Sequence, residues 1–240
     1  QRRATAMTAS TGEGRLFEVD MRLRPSGEDG PIAAHIDSLR QYLEGPAWTW
    51  ELMALSRARF AIGDAALGAR IEALRDEVLA RAPTRPDLMA DVTAMRARIA
   101  QAKPAGGAWD SKLRKGGMLD VEFIAQGLAL AHADRAEVRA AHRPVTQLRA
   151  LAAAGALRPE VADTLYDAAR FWLEAQWVCR LVGHDEAAGE VEHRDLQATF
   201  AGALGAKDYP ALVERREAIA RAVAAAYRDV FGMESPAGGD

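Results

Sequence analysis

Four shortages narrow what this chain can be. It carries one cysteine, Cys179, in 240 residues. No disulfide can form within it, and a reducing compartment such as the cytoplasm fits. It has almost no excess of charge, with 31 Lys and Arg against 34 Asp and Glu. A near-neutral balance gives no general polybasic character and no reason to expect bulk nucleic-acid binding. Long apolar runs are absent, so no segment approaches the roughly 20 residues that span a bilayer as a helix. The opening residues, QRRATAMTAS, lack the apolar core of a secretory signal. They also lack an initiator Met, as expected of a segment internal to a longer protein. Aromatics are scarce at 6%, so aliphatic and small side chains must build most of the core. No G-x-S-x-G, H-E-x-x-H or Walker-type phosphate loop occurs.

What is present begins with residues 14–27, GRLFEVDMRLRPSG. Side chains alternate along a strand, so Phe17, Val19, Met21 and Leu23 share one face. Glu18, Asp20, Arg22 and Arg24 share the other, and Pro25-Ser26-Gly27 supplies a turn. A carboxylate flanked by guanidinium groups suits a metal–nucleotide site, with Asp20 as metal ligand or base and Arg22 and Arg24 on phosphate oxygens. The competing reading is a solvent-facing strand with internal ion pairs. Residues 30–35 form a shorter extended candidate. Residues 56–62 alternate again, with Ala58, Phe60 and Ile62 opposite Arg57 and Arg59, which predicts a second strand with basic residues on one face. Trp48 and Trp50 lie beside it, as a packing wedge or a stacking surface.

A third constellation is Lys112, Lys115, Gly116 and Gly117 ahead of Asp120 and Glu122. Basic residues and two glycines at a helix start offer backbone N–H groups to an anion. Acidic residues in a first turn also have a purely structural explanation in the helix dipole. A further cluster, His184, Asp185, Glu186, Glu190, Glu192 and His193, matches no standard metal spacing and reads as a solvated loop.

Beyond residue 64 the pattern is helical. Apolar stripes run through Ile71, Leu74, Val78 and Leu79; through Leu88, Val92, Met95 and Ile99; and through Leu119, Phe123 and Leu130. Pro144 opens another helix that Gly155 closes, and Pro159 opens a long one with Leu165, Ala168, Trp172 and Cys179 inward. A last stripe joins Leu212, Ile219, Val223, Tyr227 and Val230. The expected fold class is α+β and mostly α: a partial αβ piece over residues 1–82, a helical bundle over 83–233 and a disordered tail over 234–240.

In this order, the segments at Leu16 to Gly27, Ala47 to Glu51 (AWTWE), Arg57 to Arg59 (RAR) and Lys112 to Phe123 resemble the glutamine-synthetase adenylyltransferases, bifunctional adenylyl-transferring and adenylyl-removing enzymes. The wording is most similar to the C-terminal half of that family. The resemblance implies a nucleotidyltransferase domain followed by a helical domain. It implies transfer of AMP from ATP to a tyrosine of glutamine synthetase, with Mg²⁺ as cofactor. Implied partners are glutamine synthetase, the PII signal protein and ATP, with glutamine as an effector. Asp20 matches the family's third catalytic carboxylate, and Arg22 and Arg24 its phosphate contacts. Arg57, Arg59, Lys112, Lys115, Gly116 and Gly117 follow as site lining. The Gly-Ser and D-x-D elements that precede the third carboxylate in the family do not occur ahead of Asp20, so this chain alone is expected to be inactive. The alternative reading is a helical docking module for glutamine synthetase or PII.

Overall fold

The computed structural model describes residues 9, 10, 12, 14, 30, 31, 33–186 and 188–236. The strand expected at residues 14–27, with Asp20, Arg22 and Arg24, lies outside the described residues apart from Gly14. The described residues hold ten α-helices: α1 Ile36–Glu44, α2 Thr49–Arg57, α3 Ala65–Ala80, α4 Leu88–Ala102, α5 Met118–Ala131, the single turn α6 Ala136–Arg139, α7 Pro144–Ala153, α8 Pro159–Val182, α9 Arg194–Ala203 and α10 Tyr209–Phe231.

Local chemistry sets most of these limits. Asp64 accepts from the Leu67 N–H at 2.8 Å to open α3, and Asp208 accepts from the Ala211 N–H at 2.9 Å to open α10. Before α2, the Glu51 carboxylate reaches back to the Trp48 N–H at 2.9 Å, which is half of a capping box. Prolines at the first helical positions start α7 and α8. Helix α8 stops at Gly183, in the left-handed region at φ 68°, where a side chain is disfavoured.

Helix α5 is the centre of the bundle. It packs against α2, α4, α7, α8 and α10, and the run from Phe123 to Leu130 is buried without interruption. The sequence reading gave this helix a single face. Its composition, MLDVEFIAQGLALA, is apolar all round, and such a helix is surrounded rather than laid on a surface. Val121, Ile124 and Leu130 are completely inaccessible, as are Leu165 and Trp172 of α8 and Leu212, Val223 and Tyr227 of α10. Each such large apolar side chain contributes about 1.5–3 kcal/mol by leaving water. One continuous apolar cluster runs from Leu43 to Tyr227.

The second expected strand is corrected. Ser56 and Arg57 are the last turn of α2, and residues 58–62 are irregular. The cause is Arg75 of α3, which donates to the Leu55 carbonyl at 3.2 Å and the Ser56 carbonyl at 2.8 Å. Its buried guanidinium thus closes the C-terminal carbonyls that a helix end leaves open. After it, Phe60 folds over Gly68, where a Cβ would stand 2.8 Å from the ring, and Ile62 is 93% exposed. The described residues of the 30–35 segment are likewise irregular. Among the described residues no strand longer than the single bridge residue Gly14 is present, so the αβ part of the expected fold class finds no support there. The helical part stands.

Of the expected tail, residues 234–236 are described and 237–240 lie outside the described residues. Glu234 pairs with Lys115 and Arg228, and Ser235 is 3% exposed, because residues 232–235 turn back onto α5 and its preceding loop.

Candidate functional site

The loop that enters α5 gathers the described part of the expected site. Asp110 shapes it by accepting from the N–H groups of Lys112 at 3.1 Å, Leu113 at 2.8 Å and Gly106 at 2.9 Å. The chain then doubles back, and the N–H of Met118 donates to the Ser111 carbonyl at 2.8 Å. Gly116 sits at φ 74° with its α-carbon pressed on α10. A Cβ there would lie 2.0 Å from the Ala220 carbonyl oxygen. Both the backbone conformation and the contact therefore demand glycine. Gly116→Ala is expected to cost about 2–4 kcal/mol, from a left-handed alanine plus overpacking. A urea unfolding curve checks it, and an unchanged midpoint contradicts this account of the loop.

Asp120 is the hub beneath the loop. It is fully buried, and its Oδ1 receives the Arg96 Nε–H at 2.7 Å. Its Oδ2 receives the Gly116 N–H at 2.7 Å and the Ser235 hydroxyl at 2.5 Å. The Gly116 carbonyl accepts from the Trp172 indole at 3.0 Å. Arg96 is itself inaccessible, with Nη2 on the Leu113 carbonyl at 3.3 Å. Four segments distant in sequence meet at one carboxylate: α4, the loop, α5 and residue 235. Nearby, burial pushes the Tyr227 phenol up to about 12, and the negative charge of Asp120 adds to the shift.

A second network braces the far side of the loop. Arg216 of α10, 3% exposed, holds Glu190 through two bonds, at 3.0 and 2.5 Å. Glu217 takes both oxygens to Arg114 at 2.9 Å. Tyr209 donates to Glu190 at 2.7 Å and accepts from the Trp109 indole at 3.0 Å. Burial acts to raise the Glu190 carboxyl, but bonds from Arg216 and Tyr209 outweigh it and hold the group below the ordinary carboxylate range. Burial and then the bond to Glu190 raise the Tyr209 phenol. The loop expected to be merely solvated is therefore tied to the core by Glu190, and by Glu186, which accepts from Ser111 at 2.8 Å. Among the described residues no group of three or more His, Cys, Asp and Glu side chains is arranged to hold a metal.

The sequence-predicted residues fall as follows. Asp20, Arg22 and Arg24 are outside the described residues. Arg57 and Arg59 are exposed at and beyond the end of α2, and Arg57 approaches Glu122 of α5 at 3.6 Å. That contact brings the end of α2 to the second turn of α5. Lys112 is exposed, and Lys115 is held by Glu234 at 2.7 Å. Gly116 and Gly117 are buried. The amides offered to an anion are engaged internally: Gly116 with Asp120, Gly117 with the Arg114 carbonyl, Met118 with Ser111 and Leu119 with Lys112. In this conformation the glycines serve close packing.

Reasoning from sequence passed over Arg75, Arg96 and Arg216. The signal was present, since each stands in register with an apolar stripe. Arg75 is three residues before Val78, and Arg96 four after Val92. Arg216 is four after Leu212 and four before Ala220. An arginine on the inward face of a helix must find a partner there, because an unpaired buried charge is very costly.

Comparison with known proteins gives two matched segments. Residues 1–74 match the family model described as glutamate-ammonia ligase adenylyltransferase, and residues 93–231 match the one described as GlnD PII-uridylyltransferase. Among curated proteins, the bifunctional glutamine synthetase adenylyltransferase/adenylyl-removing enzyme of Rhodopseudomonas palustris (strain HaA2) is 39% identical over 97% of this chain and 23% of its own length. That of Bradyrhizobium diazoefficiens is 38% identical over 99% of this chain and 24% of its own. That of Brucella suis biovar 1 is 44% identical over 78% of this chain and 19% of its own. The chain thus spans about a quarter of the length of the curated relatives it matches. The two segments occur in the order that the motifs implied, on a helical scaffold built around α5. The chain therefore belongs to the glutamine synthetase adenylyltransferase/adenylyl-removing enzyme family, and its helical part to the family described as GlnD PII-uridylyltransferase.

Proposed function

We propose that this chain is the part of a glutamine synthetase adenylyltransferase that closes the nucleotidyl-transfer site and carries the helical domain behind it. The full-length protein then moves AMP from ATP to a tyrosine hydroxyl of glutamine synthetase in the cytoplasm. The observation that supports this reading best is the alignment with bifunctional relatives along 97–99% of the chain. Asp20 is the proposed catalytic carboxylate, with Arg22 and Arg24 on the phosphates and Arg57, Arg59, Lys112 and Lys115 lining the approach. Gly116 and Gly117, buried in the turn that follows the two lysines, enter the proposed site as its packing. Arg57 supports the grouping through its contact with Glu122.

Mg²⁺ accompanies ATP in this proposal. Asp20, matched to the family's third carboxylate by motif, is the residue proposed to hold the ion. When bound, the ion supplies charge neutralisation on the transferring phosphoryl group. PII and glutamine are the proposed regulators. A docking role for the helical domain is favoured by Leu173, Trp177 and Leu181, which are exposed at i, i+4 and i+8 along α8.

The test is transfer of label from α-phosphate-labelled ATP to purified glutamine synthetase by the full-length protein. The expected result is one adenylyl group per modified tyrosine, mapped by peptide mass. A full-length, folded protein that binds ATP yet labels no glutamine synthetase contradicts the proposal.

A further inference from the structure

The segment after α10 behaves as more than a chain end. Helix α10 stops at Gly232, at φ 69°, and this left-handed residue turns the backbone across the helix terminus. Met233 remains 48% exposed, yet two residues later Ser235 is buried to 3%. An exposed segment buries a small polar side chain only where a partner waits, because an unbonded hydroxyl in the interior is costly. The partner is Asp120, whose Oδ2 takes the Ser235 hydroxyl and the Gly116 amide together. One position earlier, Glu234 bridges Lys115 at 2.7 Å and Arg228 at 2.8 Å. Residues 234 and 235 thus seize the same loop twice, once at its exposed lysine and once at the carboxylate beneath its glycine.

We propose that residues 232–236 are a strap whose seating on Asp120 and Lys115 holds the loop 111–117 in the conformation described above. The coupling is direct. Asp120 Oδ2 has two donors, one from the strap and one from the loop, so losing the first leaves the loop amide on a carboxylate with a spare lone pair open to water. Release of Glu234 also frees Lys115 for another anion. The strap therefore decides both the order of the loop and the availability of that lysine. The inference rests on contacts within the fold and is independent of the transfer reaction.

Amide hydrogen exchange on the 240-residue chain tests it, with peptides covering residues 111–117 read against peptides from α7. Ser235→Ala is expected to speed exchange at the Gly116 amide at least threefold and to leave α7 unchanged. Glu234→Gln is expected to act on the same peptide in the same direction, with an unaltered unfolding midpoint. A smaller change in the loop for Ser235→Ala, or an equal rise in α7, overturns the strap, because the first denies coupling and the second reduces it to general loss of stability. Opening confined to Ser235→Ala, with Glu234→Gln silent, overturns the role given to Lys115.

Discussion

Asp120→Ala is expected to lower the unfolding free energy of this chain by about 3–5 kcal/mol, the usual consequence of removing one partner of a buried ion pair. The magnitude follows from what is left behind. Arg96 is completely inaccessible and loses the acceptor of its Nε–H, while the Gly116 amide and the Ser235 hydroxyl lose theirs. Orphaned buried donors each cost about 1–3 kcal/mol, more when charged. Urea unfolding followed by far-ultraviolet circular dichroism reads the loss. Asp120→Asn keeps the shape and one acceptor oxygen but drops the charge, so its loss is smaller. The companion Arg96→Met tests the cause. In an Asp120→Ala, Arg96→Met double variant the stranded charge is gone, and part of the stability returns. A single variant that loses less than about 1 kcal/mol is incompatible with the hub described here.

Under the proposed function, Asp20→Asn in the full-length protein is expected to reduce AMP transfer to glutamine synthetase by at least about a hundredfold, the scale on which an electrostatic contact to a transition state acts. Asparagine matches the carboxylate in size. What disappears is the negative charge that would hold Mg²⁺ or accept the proton of the attacking hydroxyl. Two measurements are needed together: the rate of label transfer, and the unfolding midpoint of the same preparation. The expected pair is a collapsed rate with an unmoved midpoint. Transfer at the normal rate removes Asp20 from the mechanism, and a fallen midpoint converts its role from chemical to structural. The outcome is separate from that for Asp120, which acts by holding α4, α5 and the loop together.

Much of the helical part was legible along the chain. Asp64 before Ala65, Pro144, Pro159 and Gly183 are local signals whose physics needs no distant partner, and the helices begin and end at them. The misread segment, residues 56–62, shows the opposite case. Its alternation was genuine, but a strand requires a neighbour to pair with. Arg75, nineteen residues from Ser56, instead caps that segment as the end of a helix. The short helices α6 and α9 also went unseen, because one is a single turn and the other carries few large apolar residues. Family membership was visible in the run of motifs from Leu16 to Phe123. The glycine pair was visible as a need for close approach, but not the object approached: Gly116 meets the Ala220 backbone.

The amino-acid order by itself determined where α3, α7 and α8 start, where α8 stops, most of the apolar stripes, and the family to which the chain belongs, since caps, periodicity and motifs are short-range properties. Only the tertiary structure decided that α5 is enclosed on nearly all sides, that Asp120 answers to Arg96, Gly116 and Ser235, and that Glu234 holds Lys115. Apart from the Gly116 contact, four residues from Asp120, those pairings join residues 24 to 119 positions apart. No local pattern selects among the many carboxylates and guanidinium groups available at such separations; the packing of α4, α5, α8 and α10 does, by bringing one particular set within hydrogen-bonding distance.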